Sequence, residues 1–373
     1  MSHRILRSVA SAALFAPLAT LALSTVASSA SANASIAAGD HHDAHVSTVY
    51  TETNAAAGNA VLAFRKINGA LTKVGTFATG GLGSGDGLGS QGAVVVDDDH
   101  LLAVNAGSNQ VSLFSIDRDG SLALDDIESS AGTRPVSVTV RGKVAYVVNV
   151  TSRTVSGFRI DGDRLTPIAG STKALPGDGA AQVSLDAKGT RLVVTEKATN
   201  TIDVLPIGKG GAAGPAVSHV STGATPFGFA IDRHDNVIVS NANGGAPGAS
   251  SLSSYQLTGS TGLASVSPAV GTTQTAACWV ALSENERFAY TANAGSGTIS
   301  SYTVARNGAL TLLAPVAATP GTGAVDMAVV DGTLFALANG PHSVSAYDIG
   351  GDGSLTAAGS VAIPAGVAGL AAS

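Results

Sequence analysis

The chain is poor in the residues that usually staple a fold together. Its 373 residues include one cysteine, Cys278, which excludes an intramolecular disulfide and any cysteine-rich metal site. Aromatic residues make up 4% and charged residues 12%. There is no cluster of lysine and arginine, and the formal charge is −6, which suits a nucleic-acid binder badly. No convincing amphipathic helix follows the N-terminal region. What is abundant is glycine, with 46 residues in a chain that is 45% hydrophobic. Glycine weakens helices and supplies turn conformations, so the composition points to many short strands with small side chains and tight turns. Stability must then come from packing and strand closure.

Residues 1–34 read as an export signal. Arg4 and Arg7 form a basic start, an Ala/Leu-rich run follows to Ala27, and Ala30-Ser31-Ala32 or Ala32-Asn33-Ala34 offers small residues for cleavage. The paired arginines of a twin-arginine signal are missing. A retained membrane anchor is the competing reading, and the Ser-rich end of the run argues against it. Loss of the two arginines on cleavage takes the formal charge from −6 to −8. The expectation is a secreted or periplasmic protein, free of the membrane after cleavage. Residues 35–45 carry Asp40-His41-His42-Asp43-Ala44-His45. A loose tail holds no coordination geometry, so this reads as a solvated His-rich linker and no metal is assigned to it.

From Val46 to the C-terminus one phrase returns, an apolar strand ending in Asn, a turn, and a second strand. Val147-Val148-Asn149 leading to Phe158 is the clearest copy. The Asn position falls at Thr53, Asn105, Asn149, Glu196, Asn241, Asn293 and Asn339. A second landmark is the hairpin phrase Asn68-Gly69, Asp119-Gly120, Asn307-Gly308 and Asp352-Gly353, with Gly162-Asp163 as a variant. Such pairs favour type I′ turns, because both central residues need positive φ. Each unit of 44 to 52 residues thus holds four short strands, which predicts an all-β, seven-bladed β-propeller over residues 46–373. The N-terminal copy starts with the second strand of a blade, and Gly366–Ala372 is an apolar strand with no hairpin after it. The last strand is therefore expected to complete the first blade and leave no open edge. The Gly-rich stretch Gly80–Ser90 lacks the Lys-Ser or Lys-Thr ending of a phosphate loop and is read as a flexible loop. The repeated Asn is read as turn chemistry, since Asn tolerates left-handed geometry and bonds its own backbone.

Val147-Val148-Asn149 with Thr154-Val155-Ser156 resembles the YVTN-type repeats of bacterial surface-layer propellers. With Gly179–Asp186 leading into Val193-Val194-Thr195-Glu196, residues 46–373 resemble the lactonase-like seven-bladed propellers, the family of 6-phosphogluconolactonase and carboxymuconate cyclase. The resemblance implies a glutamate at Glu196 and histidines where this chain has Gln182 and Ser137. Glutamine cannot act as a general base, so both proton-handling imidazoles of that family are absent.

In a propeller the inner strand begins and the second strand ends on one face, the channel mouth, where ligand sites are usually built. This places Arg134, Ser137, Gln182, Glu196, Lys197, Phe227, Cys278, Trp279 and Asp326 in one neighbourhood. As an enzyme, the chain would be a hydrolase of a lactone or related cyclic ester. Glu196 would be its general base and Lys197 or Arg134 would stabilise the oxyanion, while Ser137, Gln182, Phe227, Trp279 and Asp326 contact the substrate. As a binding module, it would hold a small molecule, a carbohydrate or a protein of the cell envelope, with Glu196 a polar contact or salt-bridge partner. No metal and no cofactor is expected, and the chain is read as a monomer. Cys278 reads as a small buried residue without a histidine partner.

Overall fold

The computed structural model describes residues 46–373, so the expectations for the export signal and the His-rich linker lie outside the described residues. Within them the chain is all-β, and the one helical element is a short 3-10 turn at Asn243–Gly245. No described helix is long and apolar enough to cross a membrane. Seven antiparallel sheets follow one another, each of four strands, with a short extra strand, Lys173–Ala174, in the third. Blades are numbered here in chain order. The inner strands of blades 2 to 7 are Val94–Asp97, Pro135–Arg141, Ala180–Leu185, Pro226–Ile231, Ala277–Leu282 and Ala324–Val330.

The ring closes as the repeat requires. The C-terminal strand Ala368–Ala372 pairs antiparallel with Ser47–Glu52, matching Tyr50 with Ala371 and Glu52 with Ala368, and becomes the inner strand of blade 1. Thr48 and Ser373 exchange backbone hydrogen bonds of 2.8 and 2.9 Å. The strand next outward in each blade has neighbours on both faces and is buried throughout in blades 1, 4, 5, 6 and 7. That explains its unbroken apolar runs, such as Leu192-Val193-Val194, where a half-exposed strand would alternate.

The hairpin phrase forms hairpins, but mostly not of the expected type. Asn68 and Gly69 both have positive φ, 51° and 83°. At Asp119-Gly120, Asn307-Gly308 and Asp352-Gly353 only the glycine does. There the Asp or Asn carboxyl or amide oxygen accepts the backbone N–H two residues on, at 3.0, 3.2 and 3.0 Å. This is the geometry of a type I turn followed by a glycine bulge, which needs one left-handed residue and not two.

The repeated Asn also differs from expectation. Asn105, Asn149, Asn241 and Asn293 end the second strand of their blades with ordinary φ, fully buried. Their side-chain amides donate to the third strand, to Ser112, Thr154, Ser253 and Ser300 at 2.8, 3.4, 2.9 and 2.9 Å. The Asn is thus a buried clasp between strands. A glycine of the incoming connection lies over it in four blades, where a Cβ on Gly81, Gly132, Gly177 or Gly223 would overlap the clasp side chain. Register also shifts the position in two blades. Glu52, not Thr53, ends the second strand of blade 1, and Ala338, not Asn339, ends that of blade 7.

Candidate functional site

The Gly80–Ser90 stretch is not a free loop. With Gln91 it crosses the channel mouth and touches blades on opposite sides of the ring. Asn54 in blade 1 holds its first half, with Nδ2 donating to the Asp86 carbonyl at 2.6 Å and Oδ1 accepting the Ser84 N–H at 2.8 Å. Further along, Ser90 Oγ donates to the Val136 carbonyl of blade 3 at 2.7 Å. The Gln91 N–H reaches the Ala181 carbonyl of blade 4 at 3.0 Å. Trp279 Nε1, in blade 6, donates to the Ser90 carbonyl at 2.9 Å. Lys197 Nζ donates to the Gly89 carbonyl. Leu88, Ser90 and Gln91 are buried by this crossing.

Residues at the start of the inner strands link one blade to the next. Ser137 Oγ accepts the Val183 N–H at 3.2 Å. Gln182 grips Phe229 with both ends of its amide, accepting its N–H at 2.6 Å and donating to its carbonyl at 3.0 Å. Asp326 accepts the Leu370 N–H at 3.1 Å and its own neighbour Met327 N–H at 2.8 Å. Blade 5 has Gly228 at this place, with no side chain to offer. Gln91 takes over from across the channel, donating to the Val280 carbonyl at 2.8 Å and accepting its N–H at 3.1 Å. A Cβ on Gly228 would overlap the Gln91 carboxamide. The missing side chain of blade 5 is what lets the strap brace blade 6.

The strap divides the channel. On the mouth side is a chamber of about 240 Å³ lined by Gly87–Ser90, Trp279, Asp326, Asn339 and Val367–Gly369. Beyond it, a second space of about 250 Å³ is lined by Gln91, Thr139, Gln182, Ser184 and Asp326 among the inner-strand residues. Beside the mouth chamber the Phe227 and Trp279 rings meet at 5.1 Å between centroids, tilted by 56°. Lys197 Nζ sits 4.6 Å from the centre of the Phe227 ring, a cation–π geometry. Burial lowers the pKa of its amine, and the Arg134 charge lowers it further. Arg134 holds a left-handed backbone, φ 60°, and its N–H donates to Asn109 Oδ1 at 2.7 Å.

Of the residues expected at the mouth, Arg134, Lys197, Phe227, Cys278 and Trp279 are brought together, and Trp279 and Asp326 share the chamber. Ser137 is wholly buried as a link between blades, and Gln182 lines only the inner space. Burial pushes the Cys278 thiol up to about 12, which leaves it a packed apolar side chain with no thiolate at neutral pH. Asp326 is buried, and that burial lifts its carboxyl to about 7 against the backbone N–H groups that would hold it ionised.

Glu196 occupies the clasp position of blade 4, 1% exposed, and borders neither channel space. Its Oε2 accepts Thr201 Oγ1 at 3.0 Å. Asp203 occupies the place that Ser112 and Ser300 hold in other blades, seven residues beyond the clasp. The Asn–Ser clasp is thus replaced here by a pair of carboxyls. Burial first, and then the Asp203 charge, push Glu196 up to about 7. Burial also raises Asp203, which accepts Ser218 Oγ at 2.5 Å. Glu196 Oε1 and Asp203 Oδ2 have no other partner, as expected of two acids that share one proton. A second glutamate, Glu52, fills the clasp of blade 1, where Asn59 Nδ2 donates to it at 3.0 Å and burial raises its pKa well above the usual range. The displaced register of blade 1 hid Glu52 from sequence comparison. Asp203 could have been found by aligning the third strands.

Among known proteins, the profile of the family described as Lactonase, 7-bladed β-propeller matches residues 41–167, 93–246 and 239–367. A curated 6-phosphogluconolactonase of Yersinia pseudotuberculosis is 27% identical over 144 residues, 36% of this chain. The match spans 43% of that relative's length. Solved structures of similar fold include a protein of Lactobacillus plantarum, TM-score 0.71 at 16% identity, covering 88% of this chain and 99% of the other. The periplasmic gluconolactonase of Pseudomonas aeruginosa aligns with TM-score 0.66 at 13% identity, over 87% of this chain and 98% of the other.

Proposed function

We propose that this chain, which belongs to the lactonase family of seven-bladed β-propellers, binds a small lactone or related cyclic ester in the channel-mouth chamber. The observation that carries the reading is the chamber of about 240 Å³ with Trp279 in its wall, beside the Phe227 ring and the Lys197 cation. A compact ring compound fits such a space. An aromatic wall offers an apolar contact to its ring, and nearby cations offer a partner for a polarised carbonyl. The inner-strand polar side chains are already engaged with neighbouring blades, which favours binding over chemistry. If the export signal over residues 1–34 is used, the ligand is met in the periplasm or outside the cell.

Hydrolysis is the second reading, and one observation favours it. The Glu196 carboxyl is pushed up to about 7, in the range where a general base works at neutral pH. Glu196 would then activate water, with Lys197 or Arg134 meeting the oxyanion. Gly177 covers the carboxylate, so water must first pass that connection.

Calorimetric titration and a pH-stat hydrolysis screen with one panel of lactones separate the readings. Binding without turnover, lost in Trp279→Ala and weakened in Lys197→Ala, supports the first. Turnover that disappears in Glu196→Gln supports the second. A panel that neither binds nor reacts, even with Gln182→His, would sink both.

A further inference from the structure

We propose that a cleft on the face opposite the channel mouth binds a small tetrahedral oxyanion, a phosphate either free or carried as a monoester. The cleft measures about 370 Å³ and lies between blades 5 and 6. Its walls are three turns, Asp232–His234, Asn285–Arg287 and Ala305–Arg306, and each contributes an arginine: Arg233, Arg287 and Arg306. Three guanidinium groups converge here in a chain whose formal charge is −6. Arg287 and Arg306 have no carboxylate partner among the described residues.

The acidic residues of the wall offset two of these three charges, yet leave two guanidinium groups unpaired. Glu286 is matched by Arg233, whose N–H donates to Oε1 at 3.0 Å and whose Nε lies 3.4 Å from Oε2. Asp232 is buried and turned into its own loop, accepting the N–H groups of His234 and Asn236 at 2.8 and 2.9 Å and Asn236 Nδ2 at 2.7 Å. With three arginines against two carboxylates the wall keeps a formal charge of +1, and Arg287 and Arg306 are its guanidinium groups without a carboxylate partner among the described residues.

The frame is also fixed in advance. Asn236 Nδ2 donates to the Arg306 carbonyl at 3.2 Å and ties the blade 6 hairpin to the blade 5 turn. Asn285 Oδ1 accepts the Arg287 N–H at 3.0 Å. The Arg287 guanidinium is steadied 5.4 Å from the buried Phe288 ring. The backbone of the turns is thus set before a ligand enters, and the ordering left to it is that of the exposed arginine side chains. Guanidinium forks approaching from separate turns suit an anion with oxygens pointing several ways, and the planar fork matches phosphate. The acidic surface elsewhere disfavours a long polyanion such as nucleic acid.

The test is calorimetric titration of the full chain with inorganic phosphate and, separately, methyl phosphate at low ionic strength. The expected result is one-to-one binding that weakens with added salt. The Arg287→Gln/Arg306→Gln variant should lose about tenfold or more in affinity, while Lys209→Gln, on an exposed loop elsewhere, should bind as the parent does. Tighter binding of methyl phosphate would mark a monoester as the ligand, and equal binding would mark the free anion. No heat with either probe, or unchanged affinity in the double arginine variant, overturns the proposal.

Discussion

Replacing Gln91 by alanine tests the strap as the brace between blades 2 and 6. The substitution leaves the N–H and the carbonyl of Val280 without their partners, both in the interior of the ring. A buried polar group left unpaired costs about 1–3 kcal/mol, so two would cost roughly 2–6 kcal/mol. Water from the adjoining space of about 250 Å³ can recover part of this. The expected loss is then about 2–4 kcal/mol, a large share of the roughly 5–15 kcal/mol that holds most domains folded. Gly228→Ala attacks the same contact from the other side, because its methyl would overlap the Gln91 carboxamide and sit 2.7 Å from the Cys278 carbonyl. The two changes share one interaction, so the double variant should lose clearly less than the sum of the single losses. Guanidinium denaturation of the four proteins measures this. A Gln91→Ala variant within about 0.5 kcal/mol of the parent, or strictly additive losses, would refute the bracing role.

Three further outcomes are expected. Deleting residues 365–373 removes the inner strand of blade 1 and uncovers the Ser47–Glu52 edge, so the whole ring should melt well below the full chain; equal melting would refute closure. The Glu196–Asp203 pair keeps its shared proton to about 7 in the fold, whereas an unfolded glutamate loses its proton near the ordinary 4.5. The folded state then binds more protons in that window, so this contribution to stability is complete below about 4.5 and is lost as pH rises through about 7. Glu196→Gln should flatten the fall in stability between pH 5 and 8, and identical pH profiles would remove the carboxyl pair as its cause. For the export signal, N-terminal sequencing of protein recovered from the envelope or medium should begin at Asn33 or Ser35, and an intact Met1 would contradict cleavage.

The clasp residues show where sequence reading succeeds and where it stops. The recurrence of Asn105, Asn149, Asn241 and Asn293 marks the blades, but its cause is a side-chain bond to the third strand and not a turn. At the two ends of the chain the spacing differs by one residue, and only the pairing of Glu52 with Val61 and of Ala338 with Ser343 settles which residue takes the clasp position. In blade 7 it is an alanine, with no polar side chain to bond. The irregular Glu196 was visible at once. Its partner Asp203 went unread, although strand pairing within a hairpin is local in sequence and aligned third strands would have pointed to it.

The sequence by itself determined the number of blades, four strands in each, and the closure of the ring by its last strand. Those properties follow from short-range periodicity, turn residues and burial, repeated often enough to be read. Only the tertiary structure decided what fills the channel. Gln91 meets Val280 189 residues away, in the space that Gly228 leaves open, and no local pattern encodes such a meeting. The glycine-rich stretch looks free in isolation because its restraints come from blades 1, 3, 4 and 6, which become neighbours only when the ring closes.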